Sequence, residues 1–498
     1  MYKKIFTVLS LTSLLMACTK DKINSAIAVS TDPHPTTFAI YPAPVKGYVG
    51  DVIPFYEGNT FHLFYLQDWR DNAPNYHPWY KYTTTNLTNY TYAGQMIGLG
   101  TKSEQDFTLG TGSVIKAGNT YYGYYTGHNY LFLGTGQGQE AIQYATSTDL
   151  NTWTKKTNYI LRAPAGYSIN DFRDPFIVYN DATGEYWLII SAQAGGKGSL
   201  LYFTTKDLAT PNWVYQKPLY TSDKYDMMEC PDIFKMGSYW YLVFSDTNLE
   251  NATHYRISTS LDGIWTTPAS DLLDSKYFYA AKTAYDGKNR YLFGWVPTKS
   301  GFVDAGNKEF AGNMSTHLLT QNTDGTLSVS VPDAVTNSFT KENPIAAATK
   351  TSDVTATGSD YQLTSANALS YALFGNIKGT SMITGTLSFA AIPQNFGILL
   401  GSNTDVSQAY KLGFINGNMQ SDRVASGNTV TEASIPFSLS TGKDYPFKVV
   451  IENSIATLYV NGQTALSTRI YSLQNRQWGI FSTNGSVTVK NLKLFSLK

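Results

Sequence analysis

Cysteine is nearly absent from this chain: Cys18 and Cys230 are the only two in 498 residues. A disulfide-stapled scaffold is therefore excluded, and stability must come from burial. Charge is also scarce. Only 15% of residues are charged, and 37 Lys+Arg balance 37 Asp+Glu, so the basic stripe that a nucleic-acid partner requires is missing. The six histidines show no His-Glu-x-x-His spacing, so no metal and no cofactor is expected. No long stretch of 3.6-residue periodicity occurs beyond the N-terminal leader, which argues against a helical fold. Aromatic residues are abundant instead: 37 Tyr, 25 Phe and 9 Trp. Tyr at this density suits β-strands and flat surfaces that stack on sugar rings.

The N-terminus reads as a targeting segment. Lys3 and Lys4 precede an apolar stretch from Ile5 to Met16, too short to span a bilayer. Leu15-Met16-Ala17-Cys18 resembles a bacterial lipobox. Residues 1–17 are thus expected to be a lipoprotein signal peptide, with Cys18 as the lipid anchor and a flexible tether over 18–42. The membrane would be touched through that lipid alone, which places the protein at a bacterial cell envelope, on the outer membrane or cell surface.

A repeat follows. Five segments open on a turn residue and continue as an aromatic-rich strand, with leading aromatics Phe61, Tyr121, Tyr186, Tyr239 and Tyr291. Their spacings are 60, 65, 53 and 52 residues. Each is preceded by another apolar strand and followed by a third, which often ends at a Trp, as at Trp153, Trp213 and Trp265. Several strands per unit at this period predict an all-β fold, a five-bladed β-propeller over residues 43–336. From residue 340 to 498 the pattern shifts to Ser/Thr-rich alternating strands, with an Asn461-Gly462 hairpin turn. This predicts a C-terminal β-sandwich.

The first strand of each blade lines a propeller's channel. Asp51, Asp174 and Glu229 stand at or near the start of that strand in blades one, three and four. Quasi-symmetry would bring them to one mouth, where like charges shift one another's pKa. Glycoside hydrolysis needs one ionised and one protonated carboxyl group. Arg173 is expected to keep Asp174 ionised and to bind hydroxyls, and the apolar neighbours of Glu229 to favour its proton. Asp106 and Ser113 are further candidates for substrate binding, and His77, Trp79 and Trp295 are candidate sugar platforms.

Arg173-Asp174-Pro175 and Glu229-Cys230-Pro231-Asp232 resemble the hallmark motifs of glycoside hydrolase family 32, the invertases, inulinases and levanases. Gly112-Ser113, Tyr125-Thr126-Gly127, Ala311-Gly312-Asn313-Met314-Ser315 and the stretch Leu466 to Tyr471 are similar to others. The resemblance implies a five-bladed propeller followed by a β-sandwich. It also implies a retaining enzyme for β-fructofuranosyl linkages in fructans or sucrose-like oligosaccharides. In it, Asp51 is the nucleophile, Asp174 the transition-state stabiliser and Glu229 the general acid/base. One departure stands out: the family's Asn-Asp-Pro-Asn-Gly is replaced by Gly50-Asp51-Val52-Ile53-Pro54. Two alternatives use the same residues, an inverting arabinan or xylan hydrolase of family 43 and a surface glycan-binding lipoprotein without catalysis.

Overall fold

The computed structural model describes residues 38–70 and 77–497. The leader, Cys18 and most of the expected tether lie outside the described residues. Apart from one short helix, Asp333–Ser338, and two 3-10 turns, the described elements are strands. No helix among them is long and apolar enough to cross a membrane.

The N-terminal two-thirds is built from antiparallel sheets of three or four sequential strands. Their leading strands are Tyr48–Glu57, Thr108–Ala117, Phe172–Asn180, Met228–Met236 and Tyr279–Tyr285. Each leading strand packs on the next, and the last packs on the first, so the five close a ring. The closure is also covalently remote. Strand Lys308–Gln321 pairs with Arg290–Lys299 and, through Val49 opposite Gly312, with the first leading strand, which merges the first and last sheets.

Alternation explains where the cores sit. Side chains on successive strand positions face opposite sides of a sheet, and both faces here are covered by neighbouring sheets. Ile53, Phe64, Trp79 and Tyr125 fill the space between the first and second sheets. Tyr124, Phe172, Leu188 and Trp213 fill the next, and Trp187, Tyr202, Phe244 and Trp265 the one after. The Trp residues that end the repeats are therefore wedges between sheets.

Past the helix Asp333–Ser338, thirteen strands form one hydrogen-bonded set. Its longest member, Gln477–Ser496, pairs with Lys341–Asn343, Asp360–Asn376, Ser381–Ser388 and Asn395–Ser402. The expected tether ends earlier than residue 42. The amides of Ala39, Ile40 and Tyr41 all donate to the Glu452 carboxylate at 2.7–3.0 Å, so this stretch is part of the folded body.

A buried polar seam joins the two regions. Asp274, fully buried, accepts from the Ser467 amide (2.7 Å), the Ser467 hydroxyl (2.6 Å) and His317 Nε2 (2.9 Å). Arg469 donates to the carbonyls of Val296 and Pro297 and to Asn313 Oδ1. The stretch Leu466 to Tyr471 thus supplies the C-terminal half of the seam. Removing one partner strands the others without water. Asp274→Ala is expected to lower stability by about 3–5 kcal/mol in urea unfolding. A loss below about 1 kcal/mol would show that the seam is dispensable.

Candidate active site

Every leading strand breaks register near its start. The breaks fall between Gly50 and Val52, Leu109 and Gly112, Glu229 and Asp232, and Tyr279 and Lys282, and opposite the segment Arg173–Phe176. A bulge of this kind turns a side chain out of the alternating pattern. Asp174, Cys230 and Ala280 take positive φ values of 61°, 53° and 53° at these breaks, each costing about 1–2 kcal/mol for a residue with a Cβ. Pro175 and Pro231 follow two of them, where a missing N–H breaks no ladder bond. In the second strand the approach is so close that a Cβ on Gly112 would lie 1.8 Å from the Tyr124 carbonyl oxygen. Only glycine fits there.

The outcome is one cavity of about 410 Å³ whose lining includes Asp51, Asp174 and Glu229. Asp51 Oδ1 accepts from Trp295 Nε1 at 3.1 Å. Asp174 Oδ2 accepts from the Cys230 amide at 2.9 Å, and the Asp174 amide donates to Thr126 Oγ1 at 2.8 Å. The Cys230 sulfur lies 3.8 Å from Asp51 Oδ2 and 3.7 Å from Asp174 Oδ2. Burial and these carboxylates push its thiol up, so Cys230 is a protonated, packed spacer between two acids. Glu229 Oε1 accepts from Arg173 Nε (3.1 Å) and Nη2 (3.0 Å), while Oε2 accepts from the Tyr279 hydroxyl at 2.8 Å. Burial and the Glu229 charge push the Tyr279 hydroxyl well up, so it stays a donor.

Two expectations about charge change here. The Arg173 guanidinium bonds Glu229 and Glu140, with no bond to Asp174. Burial first, then repulsion by Glu229, raises the Asp174 carboxyl despite Arg173. Glu229 likewise sits among polar donors. Asp51 is raised to about 7 by burial and by Asp174 and Glu229.

The other candidates divide. Arg173, His77 and Trp295 line the cavity with the three acids. His77, Phe310, Trp295 and Tyr279 form a chain of ring contacts along it, with centroids 4.8, 5.4 and 5.6 Å apart. Asp106, Ser113 and Trp79 are not in the lining. Asp106 is fully buried and held by Lys155 (2.6 Å) and Tyr125 (3.1 Å). Ser113 accepts from the Ile177 amide at 3.1 Å, toward the opposite end of the ring. Trp79, fully buried, donates to the Gly110 carbonyl at 3.0 Å and wedges two sheets apart. Asp232 bonds the Thr283 amide and so braces neighbouring leading strands. Glu140, Tyr279 and Phe310 belong to the lining, although no motif singled out their side chains.

Asp246, Glu250 and His254 hold possible metal-ligand atoms within 4.8 Å of one another. Asp246 already accepts from the amides of Asn248, Leu249 and Ala252. His254 is clamped between Asp246 and Asp271 at 3.0 and 3.1 Å. The group is a satisfied ion network that pins a loop.

Buried paired carboxyls at one mouth of a strand ring, beside ring-shaped side chains, define a site of glycosidase type. The family comparison agrees. Residues 43–328 match the glycosyl hydrolases family 32 N-terminal domain, and residues 325–494 match the BT1760-like C-terminal domain of that family. The chain belongs to glycosyl hydrolase family 32, which sets aside the family 43 alternative. A sucrose-6-phosphate hydrolase of Escherichia coli is 26% identical over 298 residues, covering 55% of this chain and 60% of that protein. A beta-fructofuranosidase of Oryza sativa is 25% identical over 300 residues, covering 54% and 50%. The chain thus spans less than two-thirds of these relatives. Among solved structures, fructan 1-exohydrolase IIa of Cichorium intybus in complex with 1-kestose has a TM-score of 0.74 at 18% identity, covering 93% of this chain and 97% of that one.

Because Asp51 binds its proton more tightly in the fold than in an open chain, its contribution is complete at low pH and is lost as pH rises through about 7. Asp51→Asn should therefore flatten the fall in unfolding midpoint between about pH 4 and 7. Parallel curves for the variant and the wild type would refute the raised carboxyl.

Proposed function

We propose that this protein is a retaining glycoside hydrolase of β-fructofuranosyl linkages in fructans or sucrose-like oligosaccharides. The observation that carries the reading is the convergence of Asp51, Asp174 and Glu229 on one cavity from three separate strands. Five leading strands in contact around a ring support a five-bladed propeller, and the thirteen-stranded C-terminal set supports a β-sandwich.

In this reading the Asp51 carboxylate attacks the anomeric carbon of the fructosyl unit, and the bond to the leaving oxygen breaks. Glu229 gives that oxygen its proton, leaving a fructosyl ester on Asp51. Glu229, now ionised, takes a proton from a water that opens the ester, and free fructose and the starting enzyme result. The two roles are compatible because a protonated Glu229 removes one of the charges that repel Asp51. Asp174 accepts from fructosyl hydroxyls as charge develops on the ring. Trp295 holds Asp51 in place through its indole N–H, and Arg173 and His77 contribute donors to the cavity wall. A lipid on Cys18 would hold the enzyme at the cell envelope, facing its oligo- or polysaccharide substrate.

Incubation with sucrose, inulin, levan, arabinan and xylan should release fructose from one or more of the first three and nothing from the last two. Glu229→Gln should lower turnover by about 10²–10⁴-fold in a protein that still unfolds cooperatively. Near-normal turnover in that variant would reject the acid/base role. Binding of these sugars by the wild type with no product would favour a non-catalytic glycan-binding protein.

A further inference from the structure

Glu140 is a fourth carboxylate in the cavity lining. Its side chain is 11% exposed, and it enters from the start of strand Glu140–Ser147, the third strand of the second sheet. Both of its oxygens accept from Arg173 Nη1, at 3.2 and 3.1 Å, and Oε2 also accepts from the Phe172 amide at 2.8 Å. Arg173 turns its remaining donors, Nε and Nη2, onto Glu229 Oε1. One guanidinium therefore bridges Glu140 and Glu229. A guanidinium is a rigid planar fork, so fixing one edge fixes the direction of the other.

We propose that Glu140 is a positioning residue: by holding and partly neutralising Arg173, it lets Glu229 keep the proton that the leaving oxygen needs. The proposal rests on the acid/base role given to Glu229 above. Without the charge of Glu140, Arg173 would act more strongly on Glu229 and favour its ionised form. The other charged or titratable groups here do not replace it. Asp51, Asp174 and Tyr279 face Glu229, Asp171 lies 3.5 Å from Arg173 Nη1 at the exposed rim, and His128 faces the guanidinium from the second sheet. Cys230 and Lys282 lie behind the acids, toward the ring's interior. Burial holds the Glu140 carboxyl up at about 7 against the pull of Arg173.

The test is the pH dependence of kcat/KM in the wild type, Glu140→Gln and Glu140→Asp. Glutamine keeps the shape and can still accept from Arg173 and Phe172, but it has no charge. The expected result is a basic limb moved to lower pH by about 0.5–1 unit in Glu140→Gln, with KM changed less than twofold. In Glu140→Asp the limb should stay within about 0.3 unit of wild type. A Glu140→Gln profile with an unmoved basic limb, or a uniform loss at all pH values, overturns the proposal. A folding failure of Glu140→Gln is bypassed by infrared titration of the wild type and Glu140→Asp. The carboxyl band absent from Glu229→Gln should then titrate alike in both, and a separation above one unit counts against the proposal. If Glu229→Gln itself stays active, the acid/base reading fails. If Glu229→Gln is inactive and the limb does not move, only the role of Glu140 fails.

Discussion

Like charges resist being brought together out of water, and that resistance governs this molecule. Asp51, Asp174 and Glu229 share one cavity, and the burial and mutual repulsion that raise Asp51 to about 7 oppose the fold. Such a cluster persists only if the backbone cannot relax away from it. The leading strands supply that rigidity. Each is hydrogen-bonded to its own sheet, packed on two other leading strands and bulged where the acid must turn inward. The positive φ at Asp174 and Cys230 is a second conformational cost borne at the same place, and the wedged cores between sheets, rich in Trp and Tyr, offset both.

The neutralising groups are arranged as sparingly as the charges. Each catalytic candidate has few donors: Trp295 for Asp51, the Cys230 amide for Asp174, and Arg173 with Tyr279 for Glu229. A fully solvated or fully paired carboxylate would be a poor nucleophile or acid. Partial pairing leaves each oxygen set with capacity for a sugar hydroxyl or a reacting atom. The aromatic run from His77 to Tyr279 gives the cavity a wall of ring faces, which bonds the acids through Trp295 and Tyr279.

Much of this was legible in the residues. The repeat was readable because each unit solves the same packing problem, so its aromatic opening and terminal Trp recur at similar spacing. Asp51, Asp174 and Glu229 were readable because they hold equivalent places in that repeat. Glu140 and Phe310 were not. They reach the cavity from a third strand and from the strand that closes the ring, where no repeat position marks them. Asp106 misled because a carboxylate in a loop gives no sign of the Lys155 that claims it. The anchoring of Ala39, Ile40 and Tyr41 is not legible locally, because their partner Glu452 lies more than 400 positions away.

The pairing of Val49 with Gly312 has a consequence for how the chain comes into being. The first leading strand carries Asp51, yet one of its edges is completed only by a strand about 260 residues later. During synthesis that strand must wait, half-paired, until nearly all of the first region has emerged. Folding dominated by so distant a contact is slow, and an open, aromatic-rich edge invites pairing with other chains meanwhile. A nascent chain of this design depends on being shielded meanwhile, and Asp51 settles among the last parts of the molecule.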